Sequence, residues 1–239
     1  MPINMRIIIH QDVSQRYPDY RMGVMEIKIT RYDIDALQKI LASNVTINNV
    51  PRENEKAELK WMQVFNEMKA SSKRLPSIVS LRNLYERFGE LRGINYFVDA
   101  YNHISMKHGI PMGGYDIDNL PADDITLRYA KKGDKFHPLG LDQIEKIKDE
   151  SEIVYYSGND VITRYWNNKD SESTKITDKT KRLVIIFDYF GESEFLKAAM
   201  DDLEALFRST GNVEYLRKSV LSSQNSIYES ELYGGGHDE

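Results

Sequence analysis

Four strand-like segments in the middle of the chain restrict its fold more than any other sequence feature. They are ITLRYA, IVYY, VITRYW and LVIIF, and a Ser-Gly-Asn-Asp turn joins the second to the third. β-branched and aromatic residues dominate them, as is typical of strands. LVIIF contains no polar residue, which predicts a buried strand. Because helical segments do not alternate steadily with these strands, the order favours an α+β fold over a βαβ fold.

Helical patterns lie on both sides of this block. In the segment 53–69, apolar residues recur every three or four positions, as on one face of an amphipathic helix. A second helix is predicted to begin with Ser77 as its N-cap and to end at Gly89, and helices are predicted to close the chain. We therefore predict a single compact α+β domain over residues 1–232, with a strand-rich centre and a mixed sheet packed by N- and C-terminal helices. Residues 233–239 are predicted to be a flexible tail.

Composition excludes several classes of protein. With 41% hydrophobic and 29% charged residues, the chain is too apolar for disorder. It has no cysteine, which excludes disulfides and thiolate chemistry. The N-terminus lacks the pattern of a signal peptide, and no segment reaches membrane-spanning length, so we expect a cytoplasmic protein with no membrane partner. A net charge of -5 disfavours non-specific coating of nucleic acid, including DNA.

The stretch VDAYNHISMKHGIPMGGYDID, residues 98–118, joins a helical pattern to a glycine pair. Gly109 suits the left-handed position just beyond a helix, and Pro111 prevents the helix from resuming. Asn102 lies at the edge of the predicted buried face, where its amide needs a partner. Gly113 and Gly114 have no side chains, so a backbone or a ligand can approach closely there.

This stretch and its continuation LPADDITLRYAKKGDKFHPLG resemble the editing module, B3/B4, of bacterial phenylalanyl-tRNA synthetase beta chains. The residues that match the motifs of the module, in order, are Asp99, Asn102, Gly109, Pro111, Tyr115, Asp116, Asp118, Ile125, Arg128, Ala130 and Gly133. Ser171 and Glu172 match the Ser-Glu pair of the family. The resemblance covers about residues 75–190, and the ordered series is more specific than any single motif. Since the catalytic domains of a synthetase are absent from this sequence, we expect a freestanding editing-like module.

The resemblance implies an activity and a set of site residues. In the family, the module binds the end of a charged tRNA and hydrolyses the ester of a wrongly attached amino acid. Asn102 matches a family asparagine that lines the editing pocket, and Glu172 matches the family glutamate that reads the polar group of the wrong amino acid. From the chemistry of ester hydrolysis we expect both to be catalytic, Asn102 as a donor to the oxyanion and Glu172 to orient the water or hold the substrate's ammonium. The implied substrate-binding residues are Tyr101, Gly113, Gly114, Tyr115, Trp166, Asn167 and Ser171.

Several of these positions depart from the family pattern. Tyr101 replaces a threonine, Gly113 replaces a histidine, and Asn167-Asn168 replaces a Gly-Gly pair. All three departures fall in the family's pocket, so the sequence does not name the amino acid. The tRNA and the oligomeric state are equally undetermined.

The partner implied is tRNA, and two lysine clusters are candidates to contact its backbone. They consist of Lys131, Lys132 and Lys135, and of Lys175, Lys179 and Lys181. Runs of charge more often form solvated faces than binding sites. No cofactor is predicted. A metal site is not predicted either, because His103 and His108 are five residues apart and do not share a helix face.

Structural explanations remain open for three of the site residues. Glu172 fits a solvated loop carboxylate, and Asn102 fits a helix amide that bonds to a turn. Trp166 ends an apparent strand, where it fits a core position better than a stack on the terminal adenine of tRNA. Three functions therefore remain: a hydrolase that deacylates mischarged tRNA, favoured here, a non-catalytic RNA-binding module, and a small-molecule binder that uses the same pocket.

Overall fold

The computed structural model describes residues 5–44, 52–91 and 93–230. The predicted tail, 233–239, lies outside the described residues. The described helices are α1 (Gln11–Arg16), α2 (Ile34–Asn44), α3 (Arg52–Glu67), α4 (Ser77–Phe88), α5 (Tyr96–His108) and α6 (Ser193–Thr210). The described strands are β1 (Arg6–Ile9), β2 (Tyr20–Tyr32), β3 (Met112–Asp116), β4 (Asp124–Tyr129), β5 (Lys135–Phe136), β6 (Glu145–Lys146), β7 (Ile153–Ser157), β8 (Asp160–Arg164), β9 (Lys169–Asp170), β10 (Arg182–Phe190), β11 (Gly211–Leu221) and β12 (Ile227–Glu229).

The strands form two sheets. One has four antiparallel strands in the order β11-β2-β10-β3. The other has eight strands in the order β12-β1-β4-β7-β8-β5-β6, with β9 paired to β8. The second sheet is mixed, because β1 runs parallel to β4 and β5 runs parallel to β8. The α+β class and the mixed sheet predicted from the sequence are confirmed.

The predicted buried strand LVIIF lies in β10, near the centre of the smaller sheet. Val184 and Ile186 belong to the core cluster that also holds residues of the larger sheet. Leu183, Ile185 and Phe187 belong to a second cluster with residues of α5 and α6. Since successive side chains of a strand point to opposite faces, both faces of β10 are covered, which explains its uninterrupted apolar sequence.

The prediction that helices close the chain is wrong, because α6 is followed by β11 and β12. β11 lies at the edge of the smaller sheet, and its pairing with β2 shifts register between Asn212 and Val213 and between Val213 and Tyr215. These irregularities break the period-two pattern by which a strand is recognised. Charged residues along the edge also give β11 a polar sequence, as is common for edge strands.

Candidate active site: a cavity between two helices and two sheets

A cavity of about 560 Å³ lies beside α4, α5 and β3. Eight residues that the sequence assigned to the site line it: Tyr101, Asn102, Gly113, Gly114, Tyr115, Trp166, Asn167 and Ser171. They come from α5, from β3 and from the segment after β8, and residues of α4 form a further wall. The fold therefore brings together residues that are up to 70 positions apart in the sequence.

Asn102 is held in place by a well-capped helix. The Asn95 side chain accepts a hydrogen bond from the Val98 N–H over 3.0 Å at the start of α5, and Gly109 ends the helix in the left-handed conformation, at φ 65°. Among the described residues, the Asn102 amide has no hydrogen-bond partner. An amide that lines a cavity and has no protein partner is available to a ligand.

The two glycines of β3 have different surroundings. A Cβ atom at Gly114 would lie 2.6 Å from Ile176 Cδ1 and 3.2 Å from Tyr101 Cε1. At Gly114 these two side chains, and not the backbone or ligand that the sequence analysis expected, make the close approach. A Cβ atom at Gly113 would have no heavy atom within 4 Å. Gly113 therefore leaves open space beside the cavity.

β3 is an edge strand, so half of its N–H groups have no partner in the sheet. The Asp116 N–H donates to the Thr174 carbonyl oxygen, 3.1 Å away, instead of to β10. Because N–H direction alternates along a strand, the Gly114 N–H also points away from β10. Gly114 therefore presents a backbone donor at the sheet edge that borders the cavity.

The sequence predicted that Trp166 ends a strand, but it lies beyond β8. β8 ends at Arg164, because Tyr165 and Trp166 adopt positive φ angles of 50° and 62°. Trp166 is fully buried, and its ring makes edge-to-face contacts with Tyr17, Tyr20 and Trp61. It therefore occupies the core position that the sequence analysis considered. Two successive bulky residues with positive φ cost about 1–3 kcal/mol each, and such strain is often found at functional sites.

The side chains of Asn167 and Asn168 tie this turn to the start of α4. Asn167 Oδ1 accepts a hydrogen bond from the Ser77 N–H over 3.1 Å, and Asn168 Nδ2 donates to the Leu75 carbonyl oxygen over 2.7 Å. Ser77 is not the N-cap that the sequence predicted. Pro76 holds that position without a side-chain hydrogen bond, and Asn167 supplies the acceptor instead.

Asp188, which the sequence analysis did not single out, reaches the same cavity from β10. Its Oδ1 accepts hydrogen bonds from Tyr20 and Tyr155, at 2.5 Å each, and from Trp166 Nε1 at 3.3 Å. Burial raises its pKa to about 6 against the opposing effect of these donors. One signal was present in the sequence: an aspartate in an otherwise apolar strand, since aspartate is rarely buried without partners.

A second carboxylate, that of Asp170 in β9, also lines the cavity. The Thr163 hydroxyl donates its one hydrogen to Asp170 Oδ1 over 2.9 Å. The Thr163 oxygen therefore accepts the hydrogen bond that joins it to the Tyr115 hydroxyl over 2.8 Å. Protein atoms surround Asp170 and raise its pKa by desolvation, yet its side chain is accessible.

Glu172 does not line the cavity, although Ser171 and Lys175 beside it do. Its carboxylate pairs with Lys175 and accepts a hydrogen bond from the Gly140 N–H over 3.0 Å. Both interactions lower its pKa, and that with Lys175 contributes most. Ser171 is buried and donates to the His137 carbonyl oxygen over 2.9 Å. These contacts fix the segment that borders the cavity.

The six predicted RNA-binding lysines are all exposed but do not form one group. Lys175 lines the cavity, whereas Lys179 and Lys181 lie in the segment before β10. Lys131 and Lys132 lie in the turn after β4. Lys135 lies in β5, opposite Lys146 in the antiparallel pairing of β5 with β6. The loop that follows β5 reaches the cavity through Leu139.

Two further searches covered only the described part of the chain. Within it, no group of three histidine, aspartate or glutamate side chains could hold a metal ion. No helix in residues 5–44, 52–91 or 93–230 is long and apolar enough to cross a membrane.

The model of the B3/4 domain family matches residues 60–203, which is more than half of the chain. The chain belongs to the B3/4 domain family. This B3/4 domain is 26% identical over 165 residues to the phenylalanine–tRNA ligase beta subunit of Carboxydothermus hydrogenoformans, and 32% identical over 110 residues to that of Streptococcus pneumoniae. The matches cover 67% and 46% of this chain but only 20% and 13% of those subunits.

A solved structure gives a further comparison for this B3/4 domain. The N-terminal fragment of the phenylalanyl-tRNA synthetase beta subunit from Pyrococcus horikoshii matches 89% of this chain and 53% of that chain, with 14% identity and a TM-score of 0.47. The resemblance to synthetase beta chains that the sequence motifs indicated is confirmed by the family match.

Proposed function

We propose that this B3/4 domain binds the aminoacylated end of a tRNA and hydrolyses the ester of a wrongly attached amino acid. The observation that carries the proposal is the convergence on one cavity of eight residues that the sequence assigned to the site, among them the motif residues Asn102, Tyr115 and Ser171. Its volume of about 560 Å³ is within the range of small-molecule sites, which suits an aminoacyl group. The relatives at 26% and 32% identity are subunits of ligases that act on tRNA, which supports tRNA as the partner.

The proposed reaction needs few groups from the protein. A water oxygen adds to the ester carbonyl carbon, and the bond to the tRNA ribose oxygen breaks. Of the two protons of the water, one ends on the ribose oxygen and the other is released to solvent, so that the amino acid leaves as its carboxylate. Two donors that line the cavity can stabilise the oxyanion of the intermediate: the Asn102 amide and the Gly114 N–H. Donors that are fixed before the reaction supply most of the rate enhancement in such sites.

We assign Glu172 a positioning role. It holds Lys175 and the backbone at Gly140, and Lys175 lines the cavity. In this arrangement Glu172 orders the border of the cavity instead of contacting the ester. Lys175 then lies where the acceptor end of a tRNA would enter, and the exposed lysines at 131, 132, 135, 179 and 181 are proposed contacts for its backbone.

The test is a single-turnover deacylation screen of the purified protein against mischarged aminoacyl-tRNAs. The proposal expects at least one of them to be hydrolysed faster than its spontaneous rate. Gly113→Val fills the open space beside the cavity and should remain folded but lose this activity. It therefore serves as a folded, blocked variant that shows whether the activity comes from this cavity. If the wild-type protein accelerates deacylation of none of them, the hydrolase proposal is wrong.

A further inference from the structure

Two carboxylates in the cavity have no part in the proposed hydrolysis. Asp170 and Asp188 both line a cavity whose walls are otherwise mostly apolar. The apolar side chains that line the cavity with them come from α4, α5, β3, β10 and the segment before β10, and include Leu81, Leu84, Val98, Met112, Ile176 and Ile186. An anionic group in apolar surroundings is costly unless a partner compensates it.

The partners of Asp188 leave one of its oxygens nearly free. Oδ1 accepts three hydrogen bonds, from Tyr20, Tyr155 and Trp166. Oδ2 has a single donor among the described residues, Asn167 Nδ2, at 3.5 Å. Such a contact is at the long limit of a hydrogen bond. Asp188 therefore retains acceptor capacity at a position that reaches the cavity.

Asp170 accepts even fewer hydrogen bonds than Asp188. Its one hydrogen bond among the described residues comes from Thr163. Asp170 is linked to Tyr115 through Thr163, whose hydroxyl oxygen lies 2.9 Å from Asp170 Oδ1 and 2.8 Å from the Tyr115 hydroxyl. The ring of Tyr115 lies 6.0 Å from that of Tyr155, whose hydroxyl donates to Asp188. The two aspartates therefore act on the same part of the cavity.

The described residues supply no cation to either carboxylate. Among the described residues, neither Asp170 nor Asp188 forms an ion pair. Lys175 is the one cationic side chain in the described lining, and it is paired with Glu172. The described part of the cavity therefore has two carboxylates without a cationic partner and a wall that is mostly apolar.

We propose that the ligand of this cavity carries an ammonium group bound by Asp188 and Asp170, with its hydrocarbon part against the apolar wall. The inference rests on the proposed function, because it specifies the aminoacyl group that the site accepts. Two sources of this chemistry exist. One is the free α-ammonium of any aminoacyl ester, and the other is a cationic side chain like that of lysine.

Four amides separate these sources in calorimetric titrations of the wild-type protein. Lysinamide carries both ammonium groups, norleucinamide only the α-ammonium, Nα-acetyllysinamide only the side-chain ammonium, and N-acetylnorleucinamide neither. Charged hydrogen bonds lead us to expect that one of the singly charged probes binds at least about tenfold tighter than N-acetylnorleucinamide. The probe that shows this gain identifies the source. Equal binding of all four, or no binding of any, overturns the inference.

Variants locate the effect. Asp188→Asn and Asp170→Asn should each reduce the gain in affinity of the singly charged probe over N-acetylnorleucinamide. Asp201→Asn removes a charge from an exposed side chain of α6 and should leave this gain in affinity unchanged. If Asp188→Asn does not fold, Asp170→Asn decides alone, because Asp170 has one hydrogen bond to lose. An undiminished gain in Asp170→Asn and in any folded Asp188→Asn contradicts the assignment.

The outcome is separable from the proposed function, because binding is measured without turnover. A protein that prefers the ammonium probes but deacylates no tRNA retains the inference and loses the hydrolase proposal. A protein that deacylates tRNA and binds all four probes equally retains the hydrolase and loses the inference.

Discussion

The Tyr155 hydroxyl donates a hydrogen bond of 2.5 Å to Asp188, and this bond joins the two sheets. Tyr155 belongs to β7 of the larger sheet and Asp188 to β10 of the smaller one. Tyr20, also in the smaller sheet, donates to the same oxygen. A carboxylate between two sheets is therefore both a structural junction and part of the candidate site.

The first prediction is that Asp188 makes the protein more stable at mildly acidic pH. Its folded-state pKa of about 6 lies above the reference value of 3.8, so the folded state binds more protons in this interval. The resulting stability is complete below the reference pKa and is lost as the pH rises through 6. From pH 7.5 to pH 5.0, the wild type should gain about 1.4 kcal/mol of unfolding free energy relative to Asp188→Asn.

Urea denaturation of both proteins across this range measures the difference. The titratable groups that face Asp188 are Tyr20, Tyr155 and Tyr115, and their pKa values are all raised, so they stay neutral throughout. Asp170 is present in both proteins. A stability difference that does not change with pH would show that Asp188 does not titrate as proposed.

The second prediction concerns the turn that Asn167 ties to α4. Asn167→Ala removes the acceptor of the Ser77 N–H, and loss of such a cap costs about 1 kcal/mol. Thermal or urea unfolding measures this cost, and amide exchange at the start of α4 should quicken. Asn83→Ala, on the exposed side of the same helix, is the control and should stay within about 0.5 kcal/mol of the wild type. Equal stability of the two variants would rule out the capping role.

The third prediction uses the two adjacent glycines as a matched pair. Gly114→Ala places a Cβ atom 2.6 Å from Ile176 Cδ1, and overpacking of this kind costs about 1–3 kcal/mol. Gly113→Ala meets no atom within 4 Å and should leave the stability within about 0.5 kcal/mol. Comparison of the two urea midpoints tests this order. A larger loss of stability for Gly113→Ala than for Gly114→Ala would contradict the finding that the space is open at Gly113 and filled at Gly114.

The fourth prediction concerns tRNA binding. If the first lysine cluster contacts phosphates, its triple alanine variant (Lys131, Lys132 and Lys135) should bind tRNA more weakly. The slope of log affinity against log salt concentration should also be less steep, by up to about 0.9 for each lost phosphate contact. The control replaces three exposed lysines elsewhere, Lys39, Lys56 and Lys197, and removes the same net charge. Identical salt slopes for the two triple variants would exclude the cluster from the interface.

The sequence predicted local features better than it predicted long-range contacts. Gly89 and Gly109 both end helices in the left-handed conformation, as the sequence pattern indicates. Asn102, Tyr115 and Ser171 were found because they belong to an ordered series of motif matches, and the neighbouring cavity residues were found by their place beside that series. The partners of Asp188 come from β2, β7 and the turn after β8, and no local pattern specifies such a combination.

Two of the errors have the same physical origin. Ser77 has the right chemistry for an N-cap, but the tertiary contact of Asn167 supplies that acceptor instead. Trp166 continues an apolar strand pattern in sequence, yet core packing holds it in a left-handed turn. In both cases a contact between distant segments overrides a local preference.

The most direct test of the central claim is the single-turnover deacylation rate of Asn102→Ala. The substrate is the mischarged tRNA that the wild type hydrolyses fastest, and Asn83→Ala is the control. Loss of one oxyanion donor should lower the rate by about 10²–10³, with unchanged tRNA affinity and unfolding midpoint. A rate for Asn102→Ala equal to that of the wild type would contradict the claim that Asn102 stabilises the oxyanion of the ester in this cavity.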